Sequence, residues 1–309
     1  EHTTPVALGI DFGGTSVKFG VVAGNEVIDA APSIATEDYT EATTLIDAIV
    51  RVVEDLRARH PNITAIGVGV PGFVDFHSGT IHNLTNVRGW KDIPLKKIMH
   101  QLTDLPITVE NDANCMAYAE WTQGAGRGMD HLVCITLGTG VGGGIITHGH
   151  MLRGANSVAG ELGQTSIDYQ GRKGNYGNMG ALEDYIGNNE IAADARDHYA
   201  AEGIDRNISD CTPAALFANA SEGDEIALDI WKNIARKLAT TIVNSCWLLN
   251  PEAIIIGGGV AKAGELLFEP LKMAINEQLS PAFSDHLKII PAMFSNEAGI
   301  IGAAALALD

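Results

Sequence analysis

From Val6 to Ile10 the chain is apolar, a glycine turn follows Asp11, and Val17 to Ala31 reads as a hairpin turning near Gly24 and Asn25. The chain therefore opens as strand, loop, strand. The period then changes: Leu45, Ile49, Val52, Val53 and Leu56 recur on one stripe of a helix that ends before Pro61, the spacing of an amphipathic helix. Ile63 to Val70 and Ile107 to Glu110 read as strands, the second leading into a helix expected from Ala113 onward. Farther on, Ile226, Ile230, Ile234, Leu238 and Ile242, four apart, mark a helix from Asp224 to Leu249 closed by Pro251. A buried strand from Ala253 to Ile256, a helix from Glu265 to Ile275 and a small, apolar helix over Glu297 to Leu308 complete the pattern. Gly171 to Gly180 is Gly-rich and polar and is expected to be a loop.

The opening pattern recurs from His131. Ile135-Thr-Leu-Gly-Thr-Gly-Val-Gly-Gly-Gly-Ile-Ile parallels Ile10-Asp-Phe-Gly-Gly-Thr-Ser-Val-Lys-Phe-Gly-Val, again strand, glycine loop, strand. Such a repeat predicts two related lobes, each offering one glycine hairpin to a shared cleft. The expected division is an N-terminal lobe of residues 1–115, with 297–309 packed back on it, and a C-terminal lobe of residues 116–296.

At 309 residues, with 46% hydrophobic content, the chain can bury two such cores. No apolar run reaches the roughly 20 residues of a membrane helix, and the first residues have no signal-peptide pattern, so the expected location is the cytoplasm. A net charge of −18 and a sequence pI near 4.8 argue against nucleic acid and anionic membrane as partners. A phosphate ligand stays open, because backbone N–H groups and a bound cation can hold it without a basic surface. Cys115, Cys134, Cys211 and Cys246 lie far apart beside apolar stretches and read as small buried hydrophobes rather than a disulfide or zinc framework.

Several motifs carry candidate chemistry. Asp11-Phe-Gly-Gly-Thr15 ends a strand; the N–H groups of Gly13 and Gly14 could meet phosphate oxygens, with a hydroxyl from Thr15 and a charge from Lys18. An ordinary hairpin turn fits the same residues. Asp11 could hold magnesium directly or through water, or simply bond the turn. Gly138-Thr139-Gly140-Val-Gly142-Gly143 matches the dinucleotide string, but Ile145, Ile146 and Thr147 continue as strand where that site needs a helix. A second phosphate hairpin fits better. Gly257 to Gly259 precede a helix and could accept a nucleoside. Glu110-Asn111-Asp112 ends a strand and opens a helix: Asn111 or Asp112 could be a helix cap, or Asp112 could accept a hydroxyl proton while Asn111 bonds a neighbouring hydroxyl. Glu161 and Glu183 could grip a polyol or be solvated loop carboxylates. His148-Gly-His150 reads as a surface turn, since it has no further ligands at metal spacing.

In order along the chain, Asp11-Phe-Gly-Gly-Thr15, Gly69-Val-Pro-Gly72, Glu110-Asn-Asp-Ala-Asn114, Leu137-Gly-Thr-Gly-Val-Gly-Gly-Gly144, Gly160-Glu-Leu-Gly163 and Gly257-Gly-Gly-Val260 resemble the ROK family of repressors, open reading frames and sugar kinases. The resemblance spans nearly the whole chain. It implies an α/β fold of two ribonuclease H-like lobes, as in actin and hexokinase, with ATP and sugar meeting in the cleft. It implies Asp112 as the base, and Gly72, Asn86, Asn111, Glu161 and Glu183 at the sugar. Gly13, Gly14, Thr15, Gly138, Thr139 and Gly140 would hold phosphates, and Gly258 and Gly259 would lie by the adenosine. A homodimer is implied too.

One departure stands out. Many members carry a zinc site of one His and three Cys; here the corresponding positions are Gln164, Gly174, Tyr176 and Ala181. Zinc is therefore not expected, the 171–180 loop must be held some other way, and Gln164 is expected to replace the His contact to sugar. The reaction expected is ATP- and magnesium-dependent phosphorylation of a hexose, glucose first, with N-acetylhexosamine, mannose or fructose as alternative acceptors and polyphosphate as an alternative donor. A sugar-responsive repressor is the rival class; it would need an N-terminal helix-turn-helix, for which a strand beginning at Val6 is expected to leave no room.

Overall fold

The structure, a computed structural model, describes residues 4–84 and 87–309. The chain divides into two compact units, residues 1–128 with 151–159 and 294–309, and residues 129–150 with 160–293. The expected division after residue 115 would cut through a helix. Residues 112–128 stay with the first unit because that helix packs along the C-terminal one, and 151–159 return to it as well.

In the first unit β1 (Val6–Phe12), β2 (Ser16–Ala23) and β3 (Glu26–Ala35) form an antiparallel meander; after α1 (Ala42–Arg59), β4 (Ile63–Val70) pairs parallel to β1. Three short strands, β5 (Gly72–Asp75), β6 (Thr80–Leu84) and β7 (Lys91–Ile93), make a separate small sheet. Next come α2 (Leu95–Thr103), β8 (Ile107–Asn111), parallel to β4, and α3 (Asp112–Gln123). The main sheet order is β3-β2-β1-β4-β8. Strand alternation decides which side chains face which layer. Val6, Leu8, Ile10 and Phe12 join the core with α1 and α2, whereas Ala7 packs with the C-terminal helix (Ala298–Ala307) on the opposite face.

That second face is built for close approach. A Cβ at Gly67 would collide with the Ala303 carbonyl, and one at Gly302 with the Cys115 carbonyl. Glycines there let the C-terminal helix lie directly on β4 and α3, as only a residue without a side chain permits.

The second unit repeats the plan. β9 (Leu132–Leu137) and β10 (Val141–Thr147) form the glycine hairpin, β11 (His150–Met151) pairs beside it, and β12 (Ala253–Gly257) and β13 (Lys288–Pro291) run parallel on the other side. The order β11-β10-β9-β12-β13 is that of the first unit, as the sequence repeat predicts. Between them lie α4 (Glu183–Ile186), α5 (Asn188–Ala201), α6 (Pro213–Ser221), α7 (Glu225–Leu249) and, after β12, α8 (Glu265–Asn276). Asp224 caps α7 by accepting from the Ile226 and Ala227 N–H groups, and Asn250, in the left-handed region at φ 45°, ends it before Pro251. All four cysteines are buried thiols. Among the described residues no helix is long and apolar enough to cross a membrane, and no three His, Cys, Asp or Glu side chains cluster as metal ligands.

Candidate active site

In the first unit the loop between β1 and β2 is fixed from its acceptor side. Thr36 Oγ1 donates to the Gly14 carbonyl at 2.9 Å, the Thr36 N–H to the Thr15 carbonyl at 3.0 Å, and the Gly13 N–H to the Ser16 carbonyl at 2.8 Å. The Gly13 N–H, expected from the sequence to meet phosphate, is thus spent inside the turn, as is the Gly138 N–H, which donates to the Gly140 carbonyl at 3.0 Å; the tied carbonyls do not oppose an anion approaching the loop. Asp11 stands opposite Lys18 across the β1–β2 ladder. Burial pushes its carboxyl above the usual range, and the Lys18 charge pulls it back in part.

The Glu110-Asn111-Asp112 turn resolves an ambiguity in the sequence. Asn111 is the N-cap of α3: its Oδ1 accepts from the Ala113 N–H at 3.0 Å and the Asn114 N–H at 3.3 Å. Its Nδ2 donates to the Gly72 carbonyl at 3.2 Å, joining two of the predicted sugar residues. Gly72 has no room for a side chain, since a Cβ would strike the Asn83 carbonyl. Asp112 is the first residue of the helix, with Oδ1 accepting from the Ala113 N–H at 2.8 Å. The helix-capping task falls on Asn111. Asn86 lies outside the described residues.

The motifs above do not single out Arg153, which proves central to this turn. Its Nε donates to Glu110 Oε2 at 2.8 Å, and Glu110 is 1% exposed. A partner 43 residues away leaves no signal in local spacing; the only pointer in sequence was the strand pattern that buries Glu110.

In the second unit Glu183 is the hub. Its Oε2 accepts from the Val141 N–H at 3.0 Å, and its Oε1 from Gln164 Nε2 at 3.3 Å. The position a Cβ would take at Gly140 lies 2.5 Å from Glu183 Oε2, so glycine is needed for that contact. The hairpin is also tied to α5, whose Asn188 N–H donates to the Gly138 carbonyl at 2.9 Å. Glu161 remains solvent-accessible, yet partial burial, and then the Glu183 charge, raise the proton affinity of its carboxyl. Solvent contact moderates that effect. Gly258, at φ +88°, abuts the Leu137 backbone beside the Gly138–Gly140 hairpin, bringing the nucleoside and phosphate candidates together.

Gly138 and Gly259 differ from these. Among the described residues a Cβ on either would meet nothing within 4 Å, and neither has a positive φ. The protein's own packing does not require glycine at these two positions.

The 171–180 loop is organised by hydrogen bonds. Arg172 Nη1 donates to the Asp184 carbonyl at 2.8 Å and Nη2 to Asp194 Oδ1 at 2.7 Å, with the guanidinium 4.5 Å from the Tyr185 ring centroid. The Arg172 carbonyl accepts from the Gly180 N–H at 2.7 Å, and Asn178 Nδ2 donates to the Gln164 carbonyl at 2.8 Å. Gln164 is thus held at both its backbone and its amide. His148-Gly149 forms a surface turn, with both residues at positive φ.

Two α/β units of one topology, each opening on a glycine hairpin, define the actin and hexokinase class of fold. The ROK family model matches residues 7–309; the chain belongs to the ROK family. It is 36% identical to a glucokinase of Halalkalibacterium halodurans over 96% of this chain and 92% of that one. It is 30% identical to a xylose repressor of Caldicellulosiruptor bescii over 86% of this chain and 67% of the repressor. A ROK glucokinase of Streptomyces griseus, solved with glucose and AMPPNP, superposes with a TM-score of 0.82 at 31% identity, covering 98% of this chain and 99% of that one.

Proposed function

We propose that this protein, a sugar kinase of the ROK family, transfers the γ-phosphoryl group of ATP to the 6-hydroxyl of a hexose, with glucose the first acceptor to test. The observation that carries the reading is the Glu110-Asn111-Asp112 turn, in which Asn111 caps α3 and donates to the Gly72 carbonyl, with Asp112 next to it as the general base. Asp112 takes the hydroxyl proton as the sugar oxygen attacks the γ-phosphorus, and ADP leaves with the electrons of the broken P–O bond. Gly72, Asn111, Glu161, Gln164 and Glu183 are assigned to the sugar hydroxyls. Gly14, Thr15, Lys18, Thr139 and Gly140 are assigned to phosphates, with Gly13 and Gly138 allowing close approach rather than donating their N–H groups, which the hairpins use, and Gly258 and Gly259 are assigned to the adenosine.

Glycines at 138 and 259 that the fold does not itself require fit a ligand that approaches the backbone closely. Asp11 fits magnesium: a carboxyl that burial makes reluctant to ionise is stabilised as an anion by a cation. Bound there, magnesium would neutralise charge on the transferring phosphates. A homodimer acting in the cytoplasm completes the proposal.

The test is ADP release measured with glucose, N-acetylglucosamine, mannose and fructose, and phosphosugar formation with polyphosphate replacing ATP. Glucose is expected to raise ADP release far above the sugar-free rate. If no sugar raises it, the kinase reading fails; saturable sugar binding without turnover would then favour the role of the repressor relatives.

A further inference from the structure

Arg153 sits on residues 151–159, which pack with the first unit. It is fixed from several directions. Its guanidinium lies 3.6 Å from the Phe76 ring centroid, the Phe76 N–H donates to Ser157 Oγ at 3.2 Å, and the Arg153 carbonyl accepts from the Ala159 N–H at 2.9 Å. Its Nε meets Glu110 Oε2, while Glu110 Oε1 accepts from the Asn111 N–H at 2.8 Å and from Asn114 Nδ2 at 3.1 Å. The Glu110 carboxylate therefore grips the backbone at the residue immediately before Asp112 and the first turn of α3. A carboxylate buried to this degree holds its place as an anion only with a cation and hydrogen bonds around it, and Arg153 supplies the cation. The neighbourhood is otherwise acidic: burial first, and then the charges of Glu110, Asp112 and Asp11, push the Cys115 thiol up, and Arg153 opposes them.

We infer that Arg153 is a positioning residue for phosphoryl transfer: by neutralising Glu110 it fixes the Glu110–Asn111 backbone and so the aim of the Asp112 carboxylate at the acceptor hydroxyl. The inference rests on Asp112 being the base. It predicts a loss in turnover rather than in nucleotide affinity, because the misplaced group acts on the acceptor side. Positioning errors of this kind commonly cost on the order of 100-fold in rate.

The experiment compares Arg153→Met, Arg153→Lys, Glu110→Gln, the Glu110→Gln/Arg153→Met double variant and Asp112→Asn in the full chain, with thermal unfolding recorded for each. Arg153→Met is expected to lower kcat ~10- to 100-fold with KM for ATP within ~3-fold of wild type. In the Glu110→Gln background, where no buried charge needs a cation, Arg153→Met should cost less than ~3-fold. A residue that merely packs on Phe76 would cost the same in both backgrounds, and that result overturns the inference. Should Arg153→Met prove too unstable to assay, Arg153→Lys decides: an ammonium, which cannot reproduce the direction of the Nε–Oε2 bond, should lower kcat ~3- to 10-fold at unchanged KM for ATP, and wild-type kcat overturns the inference. If Asp112→Asn is inactive while the Arg153 variants turn over normally, Arg153 loses its role and the base keeps its own. If Asp112→Asn itself turns over normally, the reading of the base fails, and the inference with it.

Discussion

Asp112→Asn replaces the proposed proton acceptor with an amide of nearly the same size. The N-terminus of α3 is capped by Asn111, whose Oδ1 takes the Ala113 and Asn114 N–H groups, and an asparagine oxygen at 112 can still accept from the Ala113 N–H. The bonds of Glu110 to the Asn111 N–H, Asn114 and Arg153 do not pass through Asp112. The cost in folding should stay below ~1 kcal/mol, small against the ~5–15 kcal/mol of a typical domain. The cost in rate should be much larger. A positioned general base contributes ~100- to 10,000-fold, equivalent to ~2.7–5.4 kcal/mol in the barrier at ~1.36 kcal/mol per decade. Sugar affinity should hardly change, since the amide can still bond a hydroxyl. Coupled ADP-release kinetics give kcat, calorimetry gives sugar affinity, and thermal unfolding checks the fold. A correctly folded variant with kcat within ~3-fold of wild type would refute the assignment of the base.

Gly138→Ala should leave the unfolding temperature almost unchanged, because the added Cβ meets nothing within 4 Å among the described residues, yet raise KM for ATP ~10-fold or more by crowding the phosphate; an unchanged KM for ATP would remove Gly138 from the site. Arg172→Ala takes away the bonds to the Asp184 carbonyl and Asp194 and should speed limited proteolysis of the 171–180 loop and raise KM for sugar with KM for ATP unchanged; equal proteolysis rates would show that Arg172 does not organise the loop. Asp224→Ala removes the α7 cap and the partner of the buried Tyr199 hydroxyl, 2.6 Å away, for an expected loss of ~2–4 kcal/mol in stability. Burial alone would raise the Asp224 pKa, but the Tyr199 hydroxyl, the Ala227 and Ile226 N–H groups and Arg206 outweigh it and hold it below the usual carboxylate range. With the folded pKa depressed, the stabilisation is full above the unfolded value of ~3.9 and is lost as pH falls through the folded one. The Tm gap between wild type and variant should therefore persist from neutrality to about pH 5 and close in strong acid; a gap unchanged at low pH would contradict that.

Much of the fold was legible in local pattern. Apolar runs mark β1, β4 and β12, the four-residue spacing marks α7, and the repeated glycine hairpin anticipated two units of one sheet order. The small sheet β5-β6-β7 was not legible, because strands of three to five residues with exposed positions carry too few alternations to stand out. Helix α5 mixes alanines with charged residues, and its apolar stripe is correspondingly weak.

The sequence by itself determined which chemical groups are present and in what order: the glycine loops, the Glu110-Asn111-Asp112 turn and the carboxylates at 161 and 183. Those follow from residue identity and short-range geometry, which spacing along the chain records. It left open whether Asn111 or Asp112 caps α3, what holds the 171–180 loop, and which residue backs the turn. Tertiary structure decided each of these through partners distant in sequence: the Gly72 carbonyl on Asn111, Asp194 on Arg172, and Arg153 on Glu110. A hydrogen bond between residues tens of positions apart depends on how the sheets bring their strand ends together, and no local period encodes it.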